Sequence, residues 1–215
     1  FGVSVYGVLS NYQENLLQNQ EKQLSMIAEN VSNSLEVLIR EYQQEMEALI
    51  RTEAFQEAAK RADRGDKEMA EAILWAEQTA KQPLLSGAAY LADGEADAIL
   101  PETDVTYQKT LTKTGTSARM EVVADGSRAY YLRLTRENPS GGRLVFYLSL
   151  SELYQKTAAY IKMGEKGYVM VKDSDGVILM HSLEEQIGQN VITDRQAEHP
   201  DYDFSELKEL VARQK

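Results

Sequence analysis

Four side chains near the middle of the chain have the types and spacing to hold an anion: Arg119, Tyr131, Arg133 and Tyr147. They lie in three segments that read as strands, "SARMEVVA", "RAYYLRLT" and "RLVFYLSL". Strand alternation sorts these segments onto two faces. One face collects Met120, Val122, Leu132, Leu134, Leu144, Phe146 and Leu148, apolar enough to pack on a helix. The opposite face carries Arg119, Glu121, Val123, Tyr131, Arg133, Val145, Tyr147 and Ser149. Guanidinium forks bind carboxylates bidentately, and tyrosine adds an apolar wall with one hydroxyl. A solvated sheet face with salt-bridged arginines is the other reading of the same residues. If the helix expected over Asp104 to Lys113 covers the face, two arginines become costly to bury without an anionic partner. The favoured ligand is then a small carboxylate or similarly anionic metabolite. On this reading Arg133→Ala weakens binding and leaves the fold intact.

Other chemistry is sparse. The turn Asp173-Ser174-Asp175-Gly176 suggests a calcium loop, but setting Gly176 at loop position 6 puts Val171 at position 1 and Ser182 at position 12. The first ligand and the bidentate glutamate are both missing. A hairpin fits better, with apolar Tyr168–Lys172 and Val177–His181 on either side of a turn that glycine closes at φ > 0. His181 ends a strand and reads as structural, whereas His199 precedes Pro200 in a polar loop. Arg64-Gly65-Asp66 marks a helix break rather than an adhesion motif. No nucleophile–histidine pair, phosphate loop or His-x-x-x-His appears, so neither an enzyme nor a metal or cofactor site is expected.

The 215 residues are 43% hydrophobic, enough for a real core, and include no cysteine. A net charge of −11 argues against nucleic acid as a partner. No run approaches the roughly 18 apolar residues that span a bilayer. The opening Phe1–Leu9, "FGVSVYGVL", is apolar and uncharged. It reads either as a buried helix start or as the outer tail of a membrane helix.

From Val8 to Arg64 there is no glycine or proline, and Leu16, Leu24, Ile27, Val31, Leu35, Leu38, Tyr42, Met46 and Leu49 recur at helical spacing. This predicts one helix from about Ser10 to about Arg64, ~80 Å long at 1.5 Å per residue. A second helix is expected over Asp66–Lys81, then a hairpin of Gly87–Asp93 with Ala96–Leu100, and the short helix Asp104–Lys113. Asp125-Gly126 and Asn138–Gly142 join the three strands that follow. A helix over Ser151–Ile161, capped by Ser151, leads into the Asp173–Gly176 hairpin. A last helix, Phe204–Arg213, has Ser205 as its expected cap. The fold class is therefore α+β: a long N-terminal helix on a PAS-like antiparallel five-stranded sheet, followed by the start of a second, incomplete PAS-like unit. The expected parts are a stalk helix over residues 1–64, a first PAS-like unit over 65–160 and a partial second one over 161–215.

The apolar tail and long helix, "LVFYLSLSELYQ", "IKMGEKGYVMVKDSDGVILMHS" with its Gly-x-x-Gly-Tyr strand and Asp-x-Asp-Gly turn, and "IGQNVI" at Ile187–Ile192 stand out along the chain. Together these stretches resemble extracytoplasmic Cache sensor domains of the double Cache type. The resemblance implies the sensing part of a bacterial membrane receptor, of histidine kinase, chemoreceptor or diguanylate cyclase type. It implies a place on the outer side of the cell membrane, an anchor upstream of Phe1 and a homodimer in the intact receptor. It also implies a small-molecule ligand whose binding shifts the long helix. The Arg-x-Trp-Tyr cluster of amino acid-binding members is absent, since Trp75 sits in "AILWAEQ". The alternative is a structural or adhesive surface protein with a coiled-coil stalk and no small-molecule ligand.

Overall fold

A computed structural model describes residues 2–6, 14–68, 70, 73, 84–93, 107–111, 119–124, 129–139, 141–162, 167–198, 200–201, 203–205, 208–209 and 212. In chain order the elements are β1 (Gly2–Tyr6), α1 (Glu14–Ile50), α2 (Glu53–Asp63), β2 (Leu85–Leu91), β3 (Tyr107–Leu111), β4 (Arg119–Ala124) and β5 (Tyr130–Glu137). β6 (Arg143–Ser149), α3 (Leu150–Thr157), β7 (Tyr168–Lys172), β8 (Ile178–Met180), a 3₁₀ turn (Glu184–Gln186) and α4 (Thr193–Glu198) follow. They form two compact units: residues 1–36 with 154–215, and residues 37–153.

The second of these units is built on the five-stranded antiparallel sheet β2-β6-β5-β4-β3. Its apolar face is the expected one: Val122, Leu132, Leu134, Leu144, Phe146 and Leu148 are all fully buried. Helix residues Tyr42, Met46, Leu49 and Phe55 are buried in the same unit. The Phe55 ring meets Tyr90 edge-on at 5.7 Å. Arg136, on the same face as Leu132 and Leu134, pairs with Glu47 of α1. The Leu84 N–H donates to the Tyr42 hydroxyl at 3.1 Å, tying β2's start to the helix.

Three expectations about the elements are corrected. The long helix is not continuous to Arg64: it ends at Ile50 and restarts at Glu53. No glycine or proline makes that break. Thr52 makes it, its hydroxyl accepting from the Phe55 N–H at 3.2 Å and donating to the Leu49 carbonyl at 2.7 Å. This satisfies groups at both helix ends and lets Phe55 turn into the core. The Phe1–Leu9 stretch begins neither as a helix nor as a helical tail, because Gly2–Tyr6 is a strand antiparallel to β7. Residues 107–111 of the expected Asp104–Lys113 helix are strand β3, paired with β4. The hairpin partner Ala96–Leu100 and the Asp125-Gly126 turn lie outside the described residues, so β3 is the fifth strand of the described sheet.

Two caps also differ. Ser149 rather than Ser151 caps α3, its hydroxyl accepting from the Glu152 N–H at 3.3 Å. Asp203 accepts from the Ser205 N–H at 2.9 Å, so the cap of the last helix precedes Ser205. Of the helix expected over Asp66–Lys81, residues 66, 67, 68, 70 and 73 are described, and all but Asp66 at its start are helical. The β5–β6 loop turns as expected at Asn138–Gly142, where the Asn138 N–H donates to the Gly142 carbonyl at 2.9 Å. Gly142 has φ 69, and a Cβ there would come within 2.3 Å of the Tyr90 hydroxyl.

The other unit holds the three-stranded sheet β1-β7-β8. Asp173 Oδ1 accepts from the N–H groups of Asp175 and Val177, at 2.8 and 2.9 Å, and Gly176 takes φ 90. A side chain at Gly176 would pay for a left-handed backbone, roughly 1–2 kcal/mol, and its Cβ would sit 3.3 Å from Val191 Cγ2. After β8 the chain folds back on the hairpin. The Ile178 N–H donates to the Gln189 carbonyl, and the Val191 N–H to the Gly176 carbonyl, both at 2.9 Å. Asn190 caps α4 through Oδ1 and donates through Nδ2 to the Asp175 carbonyl at 2.8 Å. Met170, Ile178 and Val191 then form a small core with Tyr168 and Ile192.

Candidate functional site

β4, β5 and β6 carry charged and aromatic residues on the sheet face away from α2. Register fixes who meets whom: Glu121 stands opposite Arg133, Arg133 opposite Tyr147, and Val123 opposite Tyr131. Thr110 of β3 stands opposite Glu121 on the other side. The four residues singled out from the sequence therefore share one face, but not as an open set.

Arg133 is buried, with 1% of its side chain exposed. Its Nε and Nη2 both donate to Glu121 Oε2, at 3.1 and 2.8 Å. Arg119 places Nε 3.2 Å from the same oxygen, yet 47% of its side chain is exposed. Thr110 Oγ1 approaches the other carboxylate oxygen at 3.5 Å. Tyr147 is buried with Val123 and Val145, and half-buried Tyr131 and Leu91 pack against them.

The residue that sequence reasoning left out of the site is Glu121. Alternation had already put it on this face beside Arg119. The two arginines do not need an outside anion to be buried, because the fold supplies a carboxylate between them. Of the two, Arg133 is committed to the interior and Arg119 reaches solvent. The expectation that Arg133→Ala leaves the fold intact is therefore corrected: that change leaves the Glu121 carboxylate buried without its two main donors, a strongly destabilising change.

The formal charges of Arg119, Arg133 and Glu121 are +1, +1 and −1, which sum to +1 for these three groups. A buried, paired guanidinium is rigid, and rigid donors cost little entropy when a ligand meets them. Arg119 stands opposite Thr135 at the start of β4, whereas Tyr131 stands opposite Val123, four residues further along that strand. The helix expected over this face is strand β3 in the described residues, so it adds a sheet edge rather than a lid. Among the described residues no group of acidic or histidine side chains could hold a metal ion. Among them, too, no helix is long and apolar enough to cross a membrane. His181 accepts the Leu183 N–H through Nδ1 at 2.9 Å and packs its ring on Tyr168, as a structural histidine does. His199 lies outside the described residues.

No family model matches this sequence, and no curated protein is significantly similar to it. Among solved structures, the chain is similar to the domain of a sensory box/GGDEF family protein from Vibrio parahaemolyticus. The TM-score is 0.53 at 11% identity, over 93% of this chain and 84% of that one. At that identity the likeness shows the fold, an α+β PAS-like arrangement with an N-terminal helix and a five-stranded antiparallel sheet.

Proposed function

We propose that this protein is the extracytoplasmic, Cache-type sensor region of a bacterial membrane receptor, and that the β4–β6 face bearing Arg119, Tyr131, Arg133 and Tyr147 binds a small carboxylate. The observation that carries the reading is the Arg119–Glu121–Arg133 cluster. A PAS-like sheet that only needed a core would gain nothing from burying a guanidinium and a carboxylate, since apolar residues of similar volume serve stability as well or better. Glu121 and Arg133 hold one another in place, and Arg119 presents a guanidinium to solvent. That the similar Vibrio domain belongs to a sensory box/GGDEF family protein agrees with a signalling role. The proposed anchor lies upstream of Phe1, and the proposed output is a cytoplasmic kinase-type or cyclase-type module.

In this reading α1 carries the signal. It is one unbroken helix of 37 residues, and the boundary between the two compact units falls within it, between Glu36 and Val37. A ligand that shifts α1 between two packed arrangements changes the position of its N-terminal half. Met26 and Val37 are 54% and 50% exposed, and eleven residues of helix bring them onto one face. That face is proposed to meet a second copy in a parallel homodimer. Single cysteines at Met26 and Val37 should crosslink in the membrane-bound protein; no crosslink at either removes the dimer from the proposal.

The ligand is tested with a thermal-shift screen of organic acids against the wild type and Arg119→Ala. Arg119→Ala removes one contact to Glu121 Oε2 while Arg133 keeps its two, so the variant should stay folded and melt only a few °C (~2–4 °C) below the wild type. Acids that raise the wild-type melting temperature should lose most of their effect in Arg119→Ala. Equal shifts in both proteins, or no acid that stabilises the wild type, would show that this face is not the binding site.

A further inference from the structure

The two units solve the same edge problem in different ways. In the five-stranded sheet the first strand, β2, is flanked by β6, the last strand of that sheet. In the other unit β7 plays the part of β2, opening a hairpin with β8. Its free side is filled by β1, which comes from the opposite end of the sequence. On the far side of β8, residues 188–191 bond back to residues 176–178 and cover that edge from nearby in the chain. β1 is thus the one strand of this sheet whose seat is not secured by a short connection.

We propose that the β7 edge is a strand-acceptor site, and that β1 of a second copy of this chain takes it in exchange for the resident β1. Among the described strands β1 pairs with β7 alone, through five register pairs from Gly2↔Lys172 to Tyr6↔Tyr168. An exchanged β1 re-forms the same ladder bond for bond. The exchange therefore needs no new complementary surface, which is why swapping an identical element is a low-cost route to a dimer. The first pair sets Gly2, which has no side chain, opposite the buried Lys172.

The chain has no cysteine, which makes the test clean. Ser4 and Met170 are register partners. Equimolar Ser4→Cys and Met170→Cys chains, one carrying a size tag, are incubated together, oxidised and run without reductant. The proposal expects a mixed disulfide, seen as a shift to the summed mass of the two chains, in a fraction that rises with concentration. The double variant Ser4→Cys/Met170→Cys should crosslink within one chain when dilute. Because Met170 is buried and its variant could fail to fold, the pair Tyr6→Cys and Tyr168→Cys at the far end of the ladder is run in parallel. Quantitative intrachain crosslinking with no mixed disulfide at any concentration would show that β1 does not exchange. No crosslink of either kind in both pairs would show that β1 does not seat on β7, and would also overturn the proposal.

Discussion

Glu121→Ala is expected to lower the melting temperature by on the order of 10 °C. Glu121 is 2% exposed and accepts two bonds from Arg133, itself 1% exposed. Removing one partner of a buried ion pair costs roughly 3–5 kcal/mol, because the charge left behind must be desolvated without its counter-charge. For a chain of this size each kcal/mol moves the midpoint by about 2–4 °C. The loss should be largely repaired by taking out both charges, as in Glu121→Leu with Arg133→Met, which leaves apolar side chains of similar reach. Thermal melts and urea titrations of the wild type, the single variant and the double variant make the comparison. A single variant that melts with the wild type would mean the pair is solvated in practice. A double variant as unstable as the single one would mean that packing, not charge, sets the cost.

The second large effect runs the other way. Lys172 is fully buried on the central strand β7, and its Nζ has no hydrogen-bond partner among the described residues. Burial pushes its pKa below the ordinary 10.5, and the neighbouring Asp173 only partly offsets this. One oxygen of that carboxylate already holds the N–H groups of Asp175 and Val177 in the turn. Lys172→Met keeps the length of the side chain and removes the ammonium, so it should stabilise the protein by about 1–3 kcal/mol at neutral pH. The pH dependence has a definite sign. Below the folded-state pKa both folded and unfolded chains carry the proton, and the full burial cost applies. Between that value and 10.5 the unfolded chain holds a proton the folded chain has released, so stability rises with pH across the window. Wild-type stability should therefore climb from neutral pH toward pH ~10 relative to Lys172→Met. Urea midpoints for both proteins across that range decide it; parallel profiles, or a methionine variant no more stable than the wild type, would show that the ammonium finds a partner.

What the sequence by itself determined about this protein is local. The Asp173–Gly176 turn was legible because both halves of its geometry are written in adjacent residues: a carboxylate that caps its own turn and a glycine free to take φ 90. The apolar stripe on α1 and the two faces of β4, β5 and β6 were legible because helix and strand periods sort side chains without reference to anything distant. That sorting placed Arg119, Glu121, Tyr131, Arg133 and Tyr147 on one face, but it gave no reason to count Glu121 with the other four as part of the site.

What only the tertiary structure decided depends on pairing between distant segments. Alternation cannot say that Glu121 lies opposite Arg133, because register is set by how β4 and β5 seat against everything around them. That one registration turned two arginines in want of an anion into a buried pair with a third, exposed charge at its side. The break at Arg51–Thr52 carried no glycine or proline; burying Phe55 against Tyr90 made a new helix start worth more than continuing the old one. Residues 107–111 became a strand because the edge of β4 was there to pair with. Gly2–Tyr6 became a strand for the same reason at β7, an edge more than 160 residues away that nothing in "GVSVY" could announce. Hydrogen bonds along a sheet are satisfied by whichever segment arrives, and arrival is a property of the folded chain rather than of the segment.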